Sequence, residues 1–386
     1  MKIVQAATVV APGPSGLRTA LGYLAEGYAA AGHQVVQLVP GPTDGIVTTP
    51  WGQIRTVRAP VLPGTGHRVI AEPRRLRRLL DQLAPDRLEV SDRSGLGGLG
   101  GWARRSGVTS VAISHERLDR LTREWLPRSA RGIFPIQTWA DHRNRSLAES
   151  FDTVVSTTAW AAEEFVRIGA ARLRLVPLGV DLEEFRPDRR DAALRLRLGA
   201  RPGELLLVHA SRLSPDKRSD LALKCLSELL QRNISARLVI AGGGPFRADL
   251  QQQAAGLPVT FLGTLERARL ATLLATADVV LTPGPRETFG LTALEALASG
   301  TPIVVNRGSA LRELIAPGCG VAVAGTGWTM ADGVEELLGI DPTLRRGTAR
   351  FRAECFPWSA SVSGFLAAHQ LPNGLPAAQH LLRIPA

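Results

Sequence analysis

Cysteine is nearly absent, with only Cys225, Cys319 and Cys355 in 386 residues. Their spacing fits neither a disulfide framework nor a metal knuckle, so they read as isolated reduced thiols. Aromatic residues make up 5% of the chain. No interleaved basic and aromatic platform occurs, which argues against a nucleic-acid-binding protein. No run approaches the roughly 18 apolar residues of a membrane-crossing helix. Lysine is also scarce: Lys2, Lys217 and Lys224 are the only three among 46 basic residues. Arginine is therefore the default cation of this chain, and its abundance alone signals nothing.

What is present is the composition of a soluble globular protein, 45% hydrophobic and 21% charged. The length suits two domains. Net charge is +11 and unevenly placed. Residues 1–180 hold 23 Lys and Arg against 15 Asp and Glu (+8); the remainder hold 23 against 20 (+3). An anionic partner for the first half follows: a membrane surface, a phosphate ligand or a nucleic acid. The opening "MKIVQAATVV" runs into "APGPSG" with no small-residue cleavage pattern, so it reads as a buried strand rather than a signal peptide. The expected compartment is the cytosol.

Apolar strand-like runs alternate with helix-length segments: "KIVQAATVV", "HQVVQLVP", "RLEVS", "VTSVAIS" and "FDTVVST", then "ELLLVHAS", "ARLVIAGGG", "VTFLG", "ADVVLTP" and "TPIVVN". That rhythm predicts an α/β protein with parallel sheets in two doubly wound domains. The break falls near residue 180, where "VPLGVDLEEFRPDRRD" interrupts the pattern, and the tail "QLPNGLPAAQHLLRIPA" reads as a loose terminus. In such sheets ligands bind beyond the carboxyl ends of strands. Two facing domains would hold a ligand in a central cleft.

Several stretches occupy such strand ends. "RETFGLTALEALASGTP" follows "ADVVLTP" and carries Glu287 and Glu295, eight positions apart. Asp278, before that strand, reads as a cap. A helix starting near Phe289 places Glu287 in the preceding loop and Glu295 about two turns in, with both acids able to face one ligand. The N–H groups of Phe289, Gly290 and Leu291 would cradle an anion, while the carboxylates suit hydroxyl groups. The bland alternative is a helix-dipole acid and a solvated acid. "HASRLSPDKRSDL" brings Arg212 and Lys217 to another strand end, either as a solvated basic loop or as the cations that neutralise a departing diphosphate. "VIAGGGPFRADL" and "PGPSGLRTAL" are Gly-rich turns, and neither carries the full G-x-G-x-x-G. His115 ends "VTSVAIS", with structural and functional readings evenly balanced. "EPRRLRRLLDQL" sets Leu76, Leu79, Leu80 and Leu83 on one helical stripe and Arg74, Arg75, Arg77 and Arg78 on the other faces. Either this helix docks on anionic membrane, or its leucines pack on the sheet and its arginines are solvated.

Together "SRLSPDK", "VIAGGGPFRADL", "VTFLGTL", "ADVVLTPGPRETFGLTALEALASGTPIVV" and "RLVPLGVDLEEFRP" resemble the large retaining glycosyltransferase family 4, of the two-Rossmann GT-B fold. The resemblance implies an N-terminal acceptor-binding domain (1–179), a C-terminal nucleotide-sugar-binding domain (180–355) and a tail (356–386) packing back toward the first. It implies that Glu287 holds the donor sugar's hydroxyls and Glu295 the ribose. Arg212 and Lys217 would bind the diphosphate, and Phe289, Gly290 and Leu291 would form the amide cradle. Gly16 would lie near the diphosphate, His115 would face the reacting sugar, and Thr264 and Leu265 would contact the base. A finer resemblance, through "ISHERLDR" and the Arg-rich helix, is to actinobacterial α-mannosyltransferases that build phosphatidylinositol mannosides. It implies GDP-mannose, a lipid acceptor and a peripheral position on the cytosolic face of the plasma membrane. No D-x-D occurs at a strand end, and "VDLEE" lies in the linker, so no metal cofactor is expected. Rival readings are a soluble acceptor, a hydrolysing epimerase of the same fold, and the disfavoured nucleic-acid binder.

Overall fold

The first apolar run, KIVQA, forms a strand with four of its five residues buried, as the centre of a sheet covered on both faces requires. The computed structural model describes residues 1–10, 15–62, 67–91 and 97–371. Gly13 and most of the tail, from 372 onward, lie outside the described residues. The chain divides into two units: Met1–Leu178 with a segment starting at Trp358, and Gly179–Pro357.

The first unit runs β1 (Lys2–Ala6), β2 (Val9–Val10), α1 (Gly16–Ala30), β3 (Gln34–Gly41), β4 (Gly45–Thr49), β5 (Gly52–Arg58), β6 (Arg68–Val69), α2 (Pro73–Leu83), β7 (Arg87–Val90), α3 (Gly97–Arg105), β8 (Thr109–Ser114), α4 (Leu118–Trp125), α5 (Ile136–Ser150), β9 (Thr153–Ser156), α6 (Ala159–Arg167) and β10 (Leu173–Leu175). Eight strands form one sheet in the order β10-β9-β8-β7-β1-β3-β5-β4, and β2 pairs with β6 apart from it. The wholly parallel sheet expected from the sequence is corrected at one edge. β4 and β5 make an antiparallel hairpin, turned at Pro50 and Trp51, before β5 joins β3 in parallel.

The leucine stripe of α2 is core. Leu76 and Leu80 are fully buried, Leu83 nearly so, and Leu79 packs on Val57, Ala59 and Ile70. A membrane-facing role for these leucines is thereby ruled out, because the sheet already covers them. Of the four arginines, Arg75 is paired with Asp44 and the Arg77 guanidinium lies over Gly98. Arg74 and Arg78 are exposed.

The second unit runs α7 (Ala192–Arg197), β11 (Leu205–Ala210), α8 (Ser219–Gln231), β12 (Ala236–Ala241), α9 (Arg247–Gln253), β13 (Val259–Gly263), α10 (Arg267–Thr276), β14 (Val279–Thr282), α11 (Leu291–Ala298), β15 (Ile303–Asn306), β16 (Gly320–Val323), α12 (Gly327–Leu338) and α13 (Pro342–Glu354). Its six strands are all parallel, in the order β13-β12-β11-β14-β15-β16. The order reverses between β11 and β14. In doubly wound sheets ligands bind beyond the carboxyl ends of the strands at such a reversal. Asp278 is not a cap. It accepts bonds from Arg195 at 2.8 Å and the Leu206 N–H at 2.8 Å, and it pairs with Arg190, so it fastens α7 to the start of β14.

The chain then returns to the first unit through α14 (Trp358–Ala368). Trp358 stacks on Tyr23 with ring centroids 4.7 Å apart. Gly27 of α1 makes the close approach possible, since a Cβ there would sit 2.2 Å from Val362. Beyond α14, His369 reaches a buried polar cluster. Glu89 accepts from Gln5 at 2.9 Å and Tyr28 at 2.7 Å, and His369 Nε2 lies 3.2 Å from it. Among the described residues no helix is long and apolar enough to cross a membrane.

Candidate functional site

The second unit gathers its strand-end loops around the β11/β14 reversal. The loop after β11 is tied to the loop after β12 by Leu213 N–H to Gly243 O (2.9 Å) and Phe246 N–H to Leu213 O (3.2 Å). The β12 loop is tied to β13 by Gly242 N–H to Gly263 O at 2.7 Å. Gly242 has φ +130, and a Cβ there would lie 1.8 Å from the Ser211 carbonyl oxygen. Only glycine allows this approach. Across the reversal, a Cβ on Gly284 would sit 3.1 Å from the Asp216 carbonyl oxygen. The four loops thus form one continuous surface.

Arg212 and Lys217 occupy the β11 loop; Arg212 is exposed and Lys217 half-buried. Glu287 lies in the β14 loop, and Lys217 Nζ donates to its Oε1 at 2.7 Å. The cation and the acid that the sequence assigned to different parts of one ligand are therefore in contact. Asp216, which sequence reading passed over, lies 3.9 Å from Lys217. Burial alone would raise its carboxyl, but the Ser214 hydroxyl bond, with Lys217 and Arg212, outweighs burial and holds it below the usual range.

The helix α11 begins later than expected. Gly290 is its N-cap in the left-handed conformation, φ +72, and Leu291 is the first helical residue. The side chain of Phe289 is core, with 6% exposure, so it offers a ligand only its backbone. N–H groups of the first helical turn precede any acceptor within the helix. The approach to the helix is held by Asn306, whose amide donates to Pro283 O at 3.0 Å, and by Ala310 N–H to Glu287 O at 3.0 Å.

Glu295 sits little more than one turn into α11 and is nearly buried, at 8% exposure. Burial pushes its carboxyl up to about 7; Arg267 opposes this and Asp181 adds to it. Arg267 lies 3.6 Å from Glu295 and 3.6 Å from Asp181. Because the helix starts at Leu291, the two acids do not share a helical face. Glu287 lies in the loop before the helix, and Glu295 lies within it.

Beneath the β11 loop lies His209, fully buried. Burial lowers its pKa, and the neutral ring donates from Nδ1 to Leu281 O at 2.9 Å. Nε2 accepts from Ser211 and Ser219, each at 2.9 Å. One imidazole thereby fixes β14, the β11 loop and the start of α8. Sequence reading missed His209, Arg267, Asp181 and Asp216. For His209 a signal existed: a polar ring closing the apolar strand LLLVHA.

Thr264 and Leu265 follow β13 on the same rim, with Thr264 exposed. Gly16 and His115 are not part of this group. They belong to the first unit, Gly16 as the exposed first residue of α1 and His115 just beyond β8. The turn after His115 is held by the buried Glu164, which accepts the N–H groups of Leu118 and Asp119 at 2.8 Å each.

Residues 192–347 match the family Glycosyl transferases group 1, and residues 15–179 match the Glycosyl transferase 4-like domain. The chain is similar to a GDP-mannose-dependent alpha-(1-6)-phosphatidylinositol dimannoside mannosyltransferase of Mycobacterium tuberculosis, 46% identical over 369 residues covering 95% of each protein. It is also similar to a D-inositol 3-phosphate glycosyltransferase of Nocardia farcinica, 33% identical over 61% of this chain and 56% of that protein. Among solved structures, the sucrose-phosphate synthase of Thermosynechococcus elongatus superposes with a TM-score of 0.74 at 20% identity, over 96% of this chain and 98% of that one. A glycosyltransferase of lipopolysaccharide biosynthesis superposes with a TM-score of 0.71 at 17% identity, over 96% of this chain and all of that one.

Proposed function

The chain belongs to the group 1 glycosyltransferases, and from that premise we propose that it transfers mannose from GDP-mannose, with retention, to a phosphatidylinositol mannoside. The acceptor we favour is the dimannoside, elongated through an α-(1-6) linkage as the mycobacterial relative's description says of that protein. The observation that carries the mechanism is the Lys217–Glu287 contact at 2.7 Å beside the start of α11. A diphosphate arriving at the β11 loop competes for Lys217. Glu287 is then released to accept hydroxyl hydrogens of the mannose. Arg212, Lys217 and the first N–H groups of α11 oppose the charge that grows on the diphosphate as its bond to C1 breaks. The acceptor oxygen bonds to C1 on the same face, and its proton passes to a leaving phosphate oxygen. No metal enters this scheme. Glu295, inside the unit, meets the ribose; Thr264 and Leu265 meet the base.

The test is acceptor-dependent GDP release and radiolabel transfer from GDP-mannose into mannosylated phosphatidylinositol. Equal GDP release without acceptor would replace this reading with a hydrolase. In the same assay Glu295→Ala is expected to raise the donor KM about tenfold or more with a modest change in kcat, since ribose contacts persist unchanged into the transition state. Glu287→Ala is expected to act mainly on kcat. Identical kinetic profiles would remove this division of labour.

The lipid acceptor brings the enzyme to the cytosolic face of an anionic membrane, where we assign attachment to the exposed arginines of α2. With Arg75 paired and Arg77 covered, Arg74 and Arg78 remain available. At about 1 kcal/mol each they supply about 2 kcal/mol, roughly a thirtyfold effect on partitioning. An Arg74/Arg78→Ser variant is expected to co-sediment that much less with anionic vesicles at low salt. Undiminished binding would move the attachment elsewhere.

A further inference from the structure

Glu295 is a carboxylate set nearly inside the second unit, and the question is what keeps it usable there. The turn after Gly179 answers it. Asp181 Oδ1 accepts the N–H groups of Glu183 at 3.1 Å and Glu184 at 2.9 Å, and the Phe185 N–H donates to Asp181 O at 3.0 Å. Arg350 of α13 locks the same turn, donating to Leu182 O at 3.2 Å and Phe185 O at 2.9 Å. Phe185 is thus fully buried with its ring fixed, and Arg267 lies over that ring, 4.7 Å from its centroid. From this seat the guanidinium stands 3.6 Å from Asp181 and 3.6 Å from Glu295. The second distance lies outside hydrogen-bond range, so the pair is electrostatic and leaves Glu295's acceptor positions to another partner.

We propose that Arg267 is a positioning residue for the donor: seated on Phe185 and Asp181, it holds the Glu295 carboxylate charge-paired and open to the vicinal hydroxyls of the nucleotide ribose. The inference rests on the ribose role given to Glu295 above and goes beyond it by naming what sustains that role. The opposing forces are visible. Burial favours the neutral acid, Arg267 favours the carboxylate, and Asp181 works against it. The other charged groups around α11 act at its ends. Arg346 and Arg350 of α13 donate to the Ser299 and Ala298 carbonyls at its C-terminus, and Lys217 with Glu287 lies before its N-terminus. The flanking strands β14 and β15, VVLT and IVVN, carry no ionisable side chain.

A carboxyl near 7 in the donor-free protein gives donor binding an acid limb. Affinity is low where Glu295 is protonated, rises with pH through about 7 and levels above it. Removing Arg267 removes the positive charge that favours the carboxylate, so the limb must move to higher pH. The experiment measures the dissociation constant of GDP-mannose without acceptor, on the full chain, from pH 6 to 9. The donor's diphosphate has no titration in that range. Arg267→Gln is expected to weaken binding about fivefold at pH 7 and about tenfold at pH 6, the consequence of moving the limb from about 7 to about 8, and to recover most of it by pH 9. Arg267→Lys should return the limb most of the way, and Glu295→Gln should abolish it while melting as the wild type does. A uniform loss at every pH in Arg267→Gln, or an unmoved limb, would overturn the positioning role while the ribose role of Glu295 stands. Wild-type binding by Glu295→Gln would overturn both. If Arg267→Gln does not fold, Arg267→Lys decides alone, because a lysine cannot cover the Phe185 ring as a guanidinium does and must shift the limb upward.

Discussion

Lys217→Ala is expected to lower kcat/KM for transfer by about 10²–10³, the scale of removing one preorganised charge from a developing anion. Arg212→Ala should fall in the same range. Two effects combine at Lys217. The ammonium that opposes the departing diphosphate is gone, and Glu287, which it holds at 2.7 Å, becomes an unpaired acid beside the same anion. The second effect makes a specific signature. In a Lys217→Ala/Glu287→Gln double variant the losses should be less than the product of the singles, because the residues share one interaction. Initial rates with saturating acceptor measure this. Activity within twofold of wild type in both Arg212→Ala and Lys217→Ala would end the diphosphate assignment.

Gly242→Ala should be comparably damaging for a different reason. Its φ of +130 is one that L-residues rarely adopt, and the added Cβ would stand 1.8 Å from the Ser211 carbonyl oxygen. The methyl group cannot be accommodated by rotating a side chain, since its obstacle is backbone. Either the β12 loop or the β11 loop must shift, and the latter carries Arg212. Strain of about 2–3 kcal/mol is the expected scale, which for a unit of this size lowers its melting temperature by roughly 5–10 °C. Transfer should drop at least about a hundredfold, since sub-ångström placement governs such sites. Gly256→Ala is the control. Its φ is also positive, +80, yet a Cβ there meets nothing within 4 Å. If Gly242→Ala melts and turns over like Gly256→Ala, the interlocked loops are not what positions the cations.

The strand rhythm of both units and the loops bearing Arg212, Lys217 and Glu287 were legible because each depends on local order: an apolar run, then a polar loop. What failed was whatever depended on a distant neighbour. The helix expected from near Phe289 starts only at Leu291, because Gly290 at φ +72 caps it where a Cβ would run into Leu311, so Glu295 lies little more than one turn in. The partner that defines Glu295, Arg267, comes from α10 and leaves no trace in the spacing. Leucines at helical intervals in α2 look the same whether a sheet or a lipid covers them; only the packing of Leu76 and Leu80 decides. Asp278 looked like a cap because its partners, Arg190 and Arg195, arrive from 88 and 83 positions away.

The return of α14 makes the order of synthesis differ from the order of completion. A chain leaving the ribosome presents residues 1–178 first, yet Tyr23 then lacks Trp358 and the buried Glu89 lacks His369. At about 5–20 residues per second, those partners follow on the order of ten to forty seconds later. The segment Gly179–Pro357 is continuous in sequence. The unit that begins first is therefore finished last. A stop codon before Trp358 would strike the half of the protein encoded at the opposite end of the message.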